Sequence, residues 1–271
     1  MSVLEKADSG VAPRAGLVGR VPALAVLEYQ LVAYRRTWRA GVFSSFLLPL
    51  LTMVGFGIGV GAYVESGVGG VSYLDFIVPG LIASTALQVA VGESTWPVLG
   101  SFEWIKVYFA QAASPLRAGD ILGGHVAFVL FRVLTSSLAF LLVAALFGAL
   151  HSPWALTTPL LVLLIGLAVA TPVFAYSASV RSDSYLSLLF RFAVIPMSLF
   201  AGVFFPVESL PTALRWLAYA SPLWHGVDLC RAATLGVAPD WSVPGHLLYL
   251  GAWAAGGWLL ARACFRRRLV V

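Results

Sequence analysis

The sequence predicts an all-α polytopic membrane protein, and three observations carry that prediction. Only 11% of the residues are charged and 60% are hydrophobic, against about 25% charged in a soluble domain. Several near-uncharged runs reach about 20 residues, the length a helix needs to cross the hydrocarbon core. They are far too long for barrel strands, and only helices and closed barrels satisfy the backbone in lipid. The bases are also unevenly placed. With the N-terminus set in the cytoplasm, the inner segments hold 14 of the 17 Lys and Arg; the outer ones hold only Arg215 and Arg231, and Arg132 lies inside a span. That bias predicts six spans with both termini cytoplasmic. The net charge of +5 then marks a membrane side rather than a nucleic-acid partner.

Taken in order, residues 1–21 are rich in Gly, Ala and Arg and predict a flexible cytoplasmic N-terminus. This segment is too long, and the apolar run after it too extended, for a cleavable signal peptide. Residues 22–40 place Leu24, Leu27, Leu31, Tyr34 and Trp38 at a 3-4-3-4 spacing. Arg36 lies opposite that stripe, with Arg35 and Arg39 on its rim. The pattern predicts an amphipathic helix lying at the membrane interface. The transmembrane region, 41–264, follows, with spans at about 42–63, 76–98, 120–148, 157–179, 186–205 and 245–264. The first carries Gly55, Gly57, Gly59 and Gly61, two overlapping GxxxG patterns of the kind that let helices approach closely. Residues 265–271 form a basic cytoplasmic tail.

Two breaks between spans have unusual compositions. Residues 101–118, SFEWIKVYFAQAASPLRA, set Trp104, Val107 and Tyr108 among Glu103, Lys106 and Arg117, and Ser114-Pro115 reads as a helix restart. The segment suits either a short lever seated in a partner or a helix lying in the headgroups. Residues 206–235 are too charged for a span and too apolar for a water-exposed loop. Pro206 ends the fifth span, and Glu208 and Ser209 can cap a helix over Leu210–Tyr219. Ser221-Pro222 starts a second helix, which Gly236 stops. Asp228 and Arg231 are three apart and can pair. Two short half-polar helices after a span predict a re-entrant hairpin in the outer leaflet, screened on one side by protein.

Intramembrane charge is costly by at least about 2.5–3.5 kcal/mol unless paired or hydrated. Glu93 near the inner end of span two and Arg132 inside span three are the exposed cases. They are close enough in depth to pair and fix the two spans, or else Arg132 meets an anionic or sugar-bearing substrate. No catalytic or metal set emerges. His225, Asp228 and Cys230 share one predicted helix, but Cys230 points away from the other two, and a hydrogen-bonded outer cap explains them better. The histidines at 125, 151, 225 and 246 look scattered. Cys230 and Cys264 fall on opposite sides of the membrane, which argues against a disulfide, and the absence of Asn removes any N-glycosylation acceptor.

The order of these features resembles the permease subunits of type-2 ABC exporters, over nearly the whole chain. The stretches that carry the resemblance are LEYQLVAYRRTWRAGVFSSFLLPLL, FIVPGLIASTALQVAVGESTWPVL, YFAQAASPLRAGDILGGH and FAGVFFPVESLPTALRWLAYASPLWHGVDLCRAATLG. The branch most like it exports lipo-oligosaccharide nodulation factors or drugs. The resemblance implies a permease in a prokaryotic inner membrane, paired with a second permease copy. Two cytoplasmic ATPase subunits would sit beneath and hold the ATP and Mg, this chain binding no cofactor itself. It also implies that 101–118 is the coupling segment, with Phe102, Trp104, Lys106, Val107, Tyr108 and Arg117 facing the ATPase. The helix carrying Leu27, Leu31, Tyr34, Arg35, Arg36, Trp38 and Arg39 would flank the same surface. The hairpin with Phe205, Pro206, Glu208, Trp224, His225, Asp228 and Arg231 would control outward release of an amphipathic or lipid-linked substrate. The sequence is compatible with an ATPase in trans: it has no GxxxxGK[ST] phosphate loop, and neither Lys6 nor Lys106 follows a glycine-rich turn. A secondary transporter predicts inverted repeats, which are not evident. An intramembrane lipid- or glycan-modifying enzyme needs convergent acid, base or nucleophile groups, which are not evident either.

Overall fold

The computed structural model describes residues 21–61, 67–68 and 70–269, and their regular structure is helical apart from one isolated bridge, Val68 to Val71. The helices are α1 Pro22–Tyr34, α2 Trp38–Met53, α3 Tyr73–Ser94, α4 Trp96–Glu103, α5 Val107–Ala112, α6 Ala118–Leu146, α7 Thr158–Ser179, α8 Asp183–Leu189, α9 Ile195–Phe200, α10 Thr212–Tyr219, α11 Pro222–Leu235 and α12 Val243–Leu269. Among the described residues, five helical stretches are long and apolar enough to cross a membrane: Tyr73–Glu103, Ala118–Leu146, Pro153–Ser179, Asp183–Phe200 and Val243–Leu269. The chain is thus an all-helical, polytopic membrane protein. The first expected span, 42–63, corresponds to α2 and a π-helical continuation over Val54–Val60, and its last two residues lie outside the described ones, as do residues 1–20 and 270–271.

Several expected boundaries move, each for a local reason. The 22–40 helix is broken: α1 stops at Tyr34, and Thr37, at φ −119° and ψ 2°, separates it from α2. Trp38 and Arg39 therefore belong to α2. The residue of α1 that is fully buried is Val26, off the predicted stripe, while Leu24 is exposed. Span two kinks at Thr95 (φ −102°, ψ −97°) and continues as α4. Ser114-Pro115 starts no helix; α6 begins at Ala118, where the Asp120 carboxylate accepts from the Arg117 amide at 2.9 Å. Span five ends at Phe200, before the expected 205, because Gly202 takes φ +76°. Residues 201–203 are irregular yet buried. The tail is not a separate segment, since α12 runs on through Arg266, Arg267 and Arg268.

α3, α6, α7, α11 and α12 share one core of Val, Leu, Ile, Ala and Phe. Small residues set the closest crossings. A Cβ on Gly257 of α12 would lie 2.6 Å from the Pro172 backbone nitrogen of α7. One on Gly124 of α6 would lie 2.5 Å from the Ala23 carbonyl of α1, and one on Gly80 of α3 2.9 Å from the Val203 Cα. In the first span Gly55 and Gly59, one of the two GxxxG pairs, face open space within the chain. The Asp183–Phe200 stretch stands apart, with only 11% of its apolar window buried.

Candidate functional site

Three polar assemblies punctuate this apolar bundle. The first is at Arg132, which the sequence placed near Glu93. Arg132 Nε donates to Glu93 Oε1 at 3.1 Å, bridging α6 and α3. A second partner was not foreseen: Arg132 Nη1 donates to the Tyr34 hydroxyl at 2.8 Å, with the guanidinium 4.6 Å from the Tyr34 ring centroid. Tyr34 also stands edge-on to Phe128 and Phe131. The end of α1 is thus pinned to α6, and a charge that would be costly in hydrocarbon is satisfied on two sides. Leu27 and Leu31 are half-buried, and Arg35, Arg36, Trp38 and Arg39 are exposed.

The second assembly lies in the 101–118 segment, and it divides the expected coupling residues into two groups. Trp104, Ile105 and Lys106 form an exposed tip, Trp104 61% and Ile105 75% accessible, turned by Lys106 at φ +56°. Arg117 is also exposed. Phe102 and Tyr108 point the other way: both are fully buried, with ring centroids 4.8 Å apart, and both pack on Phe265 of α12. They cannot face a partner. Helical spacing marked them as apolar bulk without saying which side of the turn would meet the bundle, and the left-handed Lys106 reverses that side. The Tyr108 hydroxyl is hydrogen-bonded to His125 Nδ1 of α6, and burial pushes the phenol pKa above its ordinary value. Val107 is half-buried beside them.

Arg268, read from the sequence only as part of a basic tail, ties this segment to two further helices. Its Nη2 meets the Glu103 carboxylate, and its Nη1 donates to the Ala178 and Val180 carbonyls at 2.8 and 2.9 Å. Those carbonyls lie at the C-terminus of α7, where an arginine satisfies groups the helix leaves unpaired. The guanidinium stacks 4.2 Å from the Phe102 ring centroid. Regular alternation would not have found this residue; the signal was the placement of three arginines in the last turn of a long helix.

The third assembly is the 206–242 region. Ser221 caps α11 by accepting from the Leu223 amide at 3.1 Å, and Gly236 closes it at φ +73°, both as the sequence predicts. Glu208 and Ser209 do not cap α10. They form a 3₁₀ turn over Val207–Ser209, whose Glu208 and Leu210 carbonyls accept from Arg215. Asp228 and Arg231 do not pair with each other. Arg231 turns inward: Nη2 donates to the Gly202 carbonyl at 2.9 Å, and the guanidinium lies 4.2 Å from the Phe76 ring centroid. It therefore satisfies backbone released where span five loses its helix. Pro206 and Phe205 are half-buried beside that break. Asp228 faces α12, where its Oδ2 lies 2.9 Å from His246 Nε2 and accepts from the Asp240 amide at 2.9 Å. His225 meets the same histidine, Nδ1 to Nδ1 at 2.8 Å. The histidines are thus not scattered: 225 and 246 converge, under Trp224, Trp241 and Tyr249. Cys230 is buried apart from them, and both cysteines are free. No metal-binding group is found among the described residues.

The bundle thus carries a side-chain-clamped turn with an exposed Trp104–Ile105 tip near one end of α12 and the buried α11 near the other. The chain belongs to the ABC-2 type transporter family, whose model matches residues 23–235. It is a membrane-integral transport permease. Similar proteins include nodulation protein J of Rhizobium leguminosarum bv. viciae, 29% identical over 247 residues covering 91% of this chain and 95% of that protein. Nodulation protein J of Sinorhizobium fredii is 27% identical, with 91% and 94% covered. The inner membrane transport permease YadH of Escherichia coli K12 is 27% identical over 198 residues, with 70% and 75% covered.

Proposed function

We propose that this chain is the membrane subunit of an ATP-driven exporter in a bacterial inner membrane, moving an amphipathic or lipid-linked substrate outward. The observation that carries the reading is the Trp104–Lys106 tip. Exposed apolar bulk on a turn is costly in water, and the turn is held from behind by Phe102, Tyr108, Glu103 and Arg268. A rigid apolar tip of this kind suits a groove on a cytoplasmic ATPase, where ATP and Mg would be held. The family supports association with such subunits. In this reading α2 and its π continuation supply a sixth span and both termini are cytoplasmic. Two permease copies pair above two ATPases. α10 and α11 form a re-entrant hairpin in the outer leaflet, its buried α11 screened by α3, α7 and α12. Substrate enters between the copies from the cytoplasm or inner leaflet, ATPase closure drives the tips, and the spans rock to open the outer side. The resemblance to lipo-oligosaccharide and drug export permeases favours a glycolipid-like or lipo-oligosaccharide cargo, with hydrophobic drugs sharing the same amphipathic chemistry.

The experiment is an affinity purification from gently solubilised native membranes, with bound proteins identified by mass and the complex assayed for ATP hydrolysis. A stoichiometric ATPase that is lost in Trp104→Asp and Ile105→Asp, while the permease itself still purifies folded, is the expected result. A folded permease carrying no ATPase overturns the reading.

A further inference from the structure

The contacts among His225, His246 and Asp228 require a fixed number of protons. His225 Nε2 lies 3.0 Å from the Tyr219 carbonyl, which can only accept, so that nitrogen carries a hydrogen. The two Nδ1 atoms at 2.8 Å need one hydrogen between them. His246 Nε2 lies 2.9 Å from Asp228 Oδ2, out of line for a good hydrogen bond, so the contact is chiefly Coulombic. A bare nitrogen lone pair would be repelled by the carboxylate there, which places a third hydrogen in this gap. Two neutral imidazoles and a carboxylate carry only two. His246 and Asp228 are 0% and 6% exposed, so the contact is shut off from bulk water.

We propose that His225, His246 and Asp228 form a buried binding site for one proton, and that this proton latches α11 to α12. With it, the cluster is neutral overall, as imidazolium and carboxylate or as imidazole and carboxylic acid. Without it, a net negative charge is buried and the central contact becomes repulsive, which is strongly unfavourable. His225 is not the charged member: burial, then the facing His246, hold its imidazole at about 4. The other groups around the site do not replace the proton. Asp240 approaches through its amide, and Asp240 and Glu208 add negative charge that favours keeping the proton. Arg231 opposes it but is spent on Gly202 and Phe76, and Arg215 on the Glu208 and Leu210 carbonyls. Tyr249 stacks on His225 at 3.9 Å between ring centroids and donates to the Ala220 carbonyl, and Tyr219 contributes its backbone. In an opened hairpin both imidazoles are hydrated and free to take a proton in the ordinary range near 6.5, whereas the closed cluster holds one proton and excludes a second from His225. The latch is therefore strongest at intermediate pH. It weakens as pH falls below that range, where the opened form binds more protons than the closed one. It weakens again as pH rises and the closed cluster gives up its single proton, an event that belongs to the coupled set.

The test uses purified full-length protein in phosphatidylcholine nanodiscs, with backbone hydrogen exchange of 207–242 followed from about pH 5 to about pH 9 and corrected for the intrinsic rate. The expected result is protection of α11 that is greatest near neutral pH and falls by at least about tenfold toward pH 9, a fall absent from His246→Gln and Asp228→Asn. A second readout needs no substitution: ¹⁵N-histidine spectra of the wild type, tractable with four histidines. They should show His225 neutral with its proton on Nε2, and a change at His246 over the same interval as the fall in protection. Flat protection and pH-invariant His246 signals overturn the site, as does a fall that survives in both variants. None of these outcomes depends on an ATPase or a substrate, so they are separable from the exporter reading.

Discussion

Single residues in this bundle act through the space they leave as much as through the groups they carry. Gly257 lets α12 approach α7 until the Pro172 ring and backbone and the Thr171 hydroxyl occupy the place of a side chain, at 2.4 to 2.6 Å from an ideal Cβ. Two of those atoms belong to a proline that cannot swing aside. Gly257→Ala should therefore force the helices apart and cost about 1–3 kcal/mol, read as a lower thermal midpoint of the detergent-solubilised protein. Gly256→Ala, beside it and facing open space, should be neutral and serves as the control. At Arg132 the sequence named the partner correctly in kind, because a lone intramembrane arginine must find a carboxylate, but it did not reveal Tyr34. A phenol at the end of a separate helix carries no depth signal. Tyr34→Phe removes one hydrogen bond while keeping the ring under the guanidinium, and should cost about 0.5–1.5 kcal/mol. Glu93→Gln leaves Arg132 without its countercharge and should cost several times more in the same assay.

At the scale of elements, the long apolar helices were legible because burial in lipid and in protein demand the same residues, and the start at Ser221 followed from cap chemistry. What could not be read was where irregular backbone is sheltered. The break at Ala201–Val203 depends on Arg231 reaching a carbonyl 29 residues earlier in the chain, a contact with no local pattern. The same holds for the 101–118 turn, where apolar spacing marked Trp104, Val107 and Tyr108 without separating the exposed face from the buried one. α12 links these places. It carries Arg268 at one end and His246 at the other, 22 residues apart, or about 33 Å along a helix. On the proposed reading, a displacement of the Trp104 tip would pass through Glu103 and Arg268 to α12, which also supplies His246 to the cluster with His225 and Asp228. Arg268→Gln and Glu103→Gln loosen the brace behind the tip while keeping its exposed apolar surface, and should lower transport relative to ATP hydrolysis by about tenfold or more. Each unit of lost coupling of about 1.4 kcal/mol gives that factor. Equal loss of hydrolysis and transport would place Arg268 in ATPase docking instead.

The whole molecule is unevenly packed, and the imbalance points to a second copy. The Tyr73–Glu103 stretch is 72% buried within the chain, whereas Asp183–Phe200 is 11% buried and joins the rest mainly through its ends. Its outward face carries Leu188, Phe192, Ile195 and Leu199, with Phe192 78% exposed. Lipid can cover such a face, but lipid contact alone gives no reason for the π-helical turn at Phe190–Val194, a local irregularity that commonly accompanies a functional surface. A permease working as a pair above two ATPases, as proposed, needs a contact surface that leaves the buried α3–α7–α11 core intact, and this stretch is the least buried of the five candidate spans among the described residues. Phe192→Cys in a chain with Cys230→Ala and Cys264→Ala should form a disulfide-linked dimer on mild oxidation in native membranes. Leu160→Cys, on the comparably exposed face of α7 (69%), should stay monomeric. Efficient dimer formation at Leu160 with none at Phe192 would move the pairing surface to the opposite side of the bundle and would require the rocking spans to be reassigned.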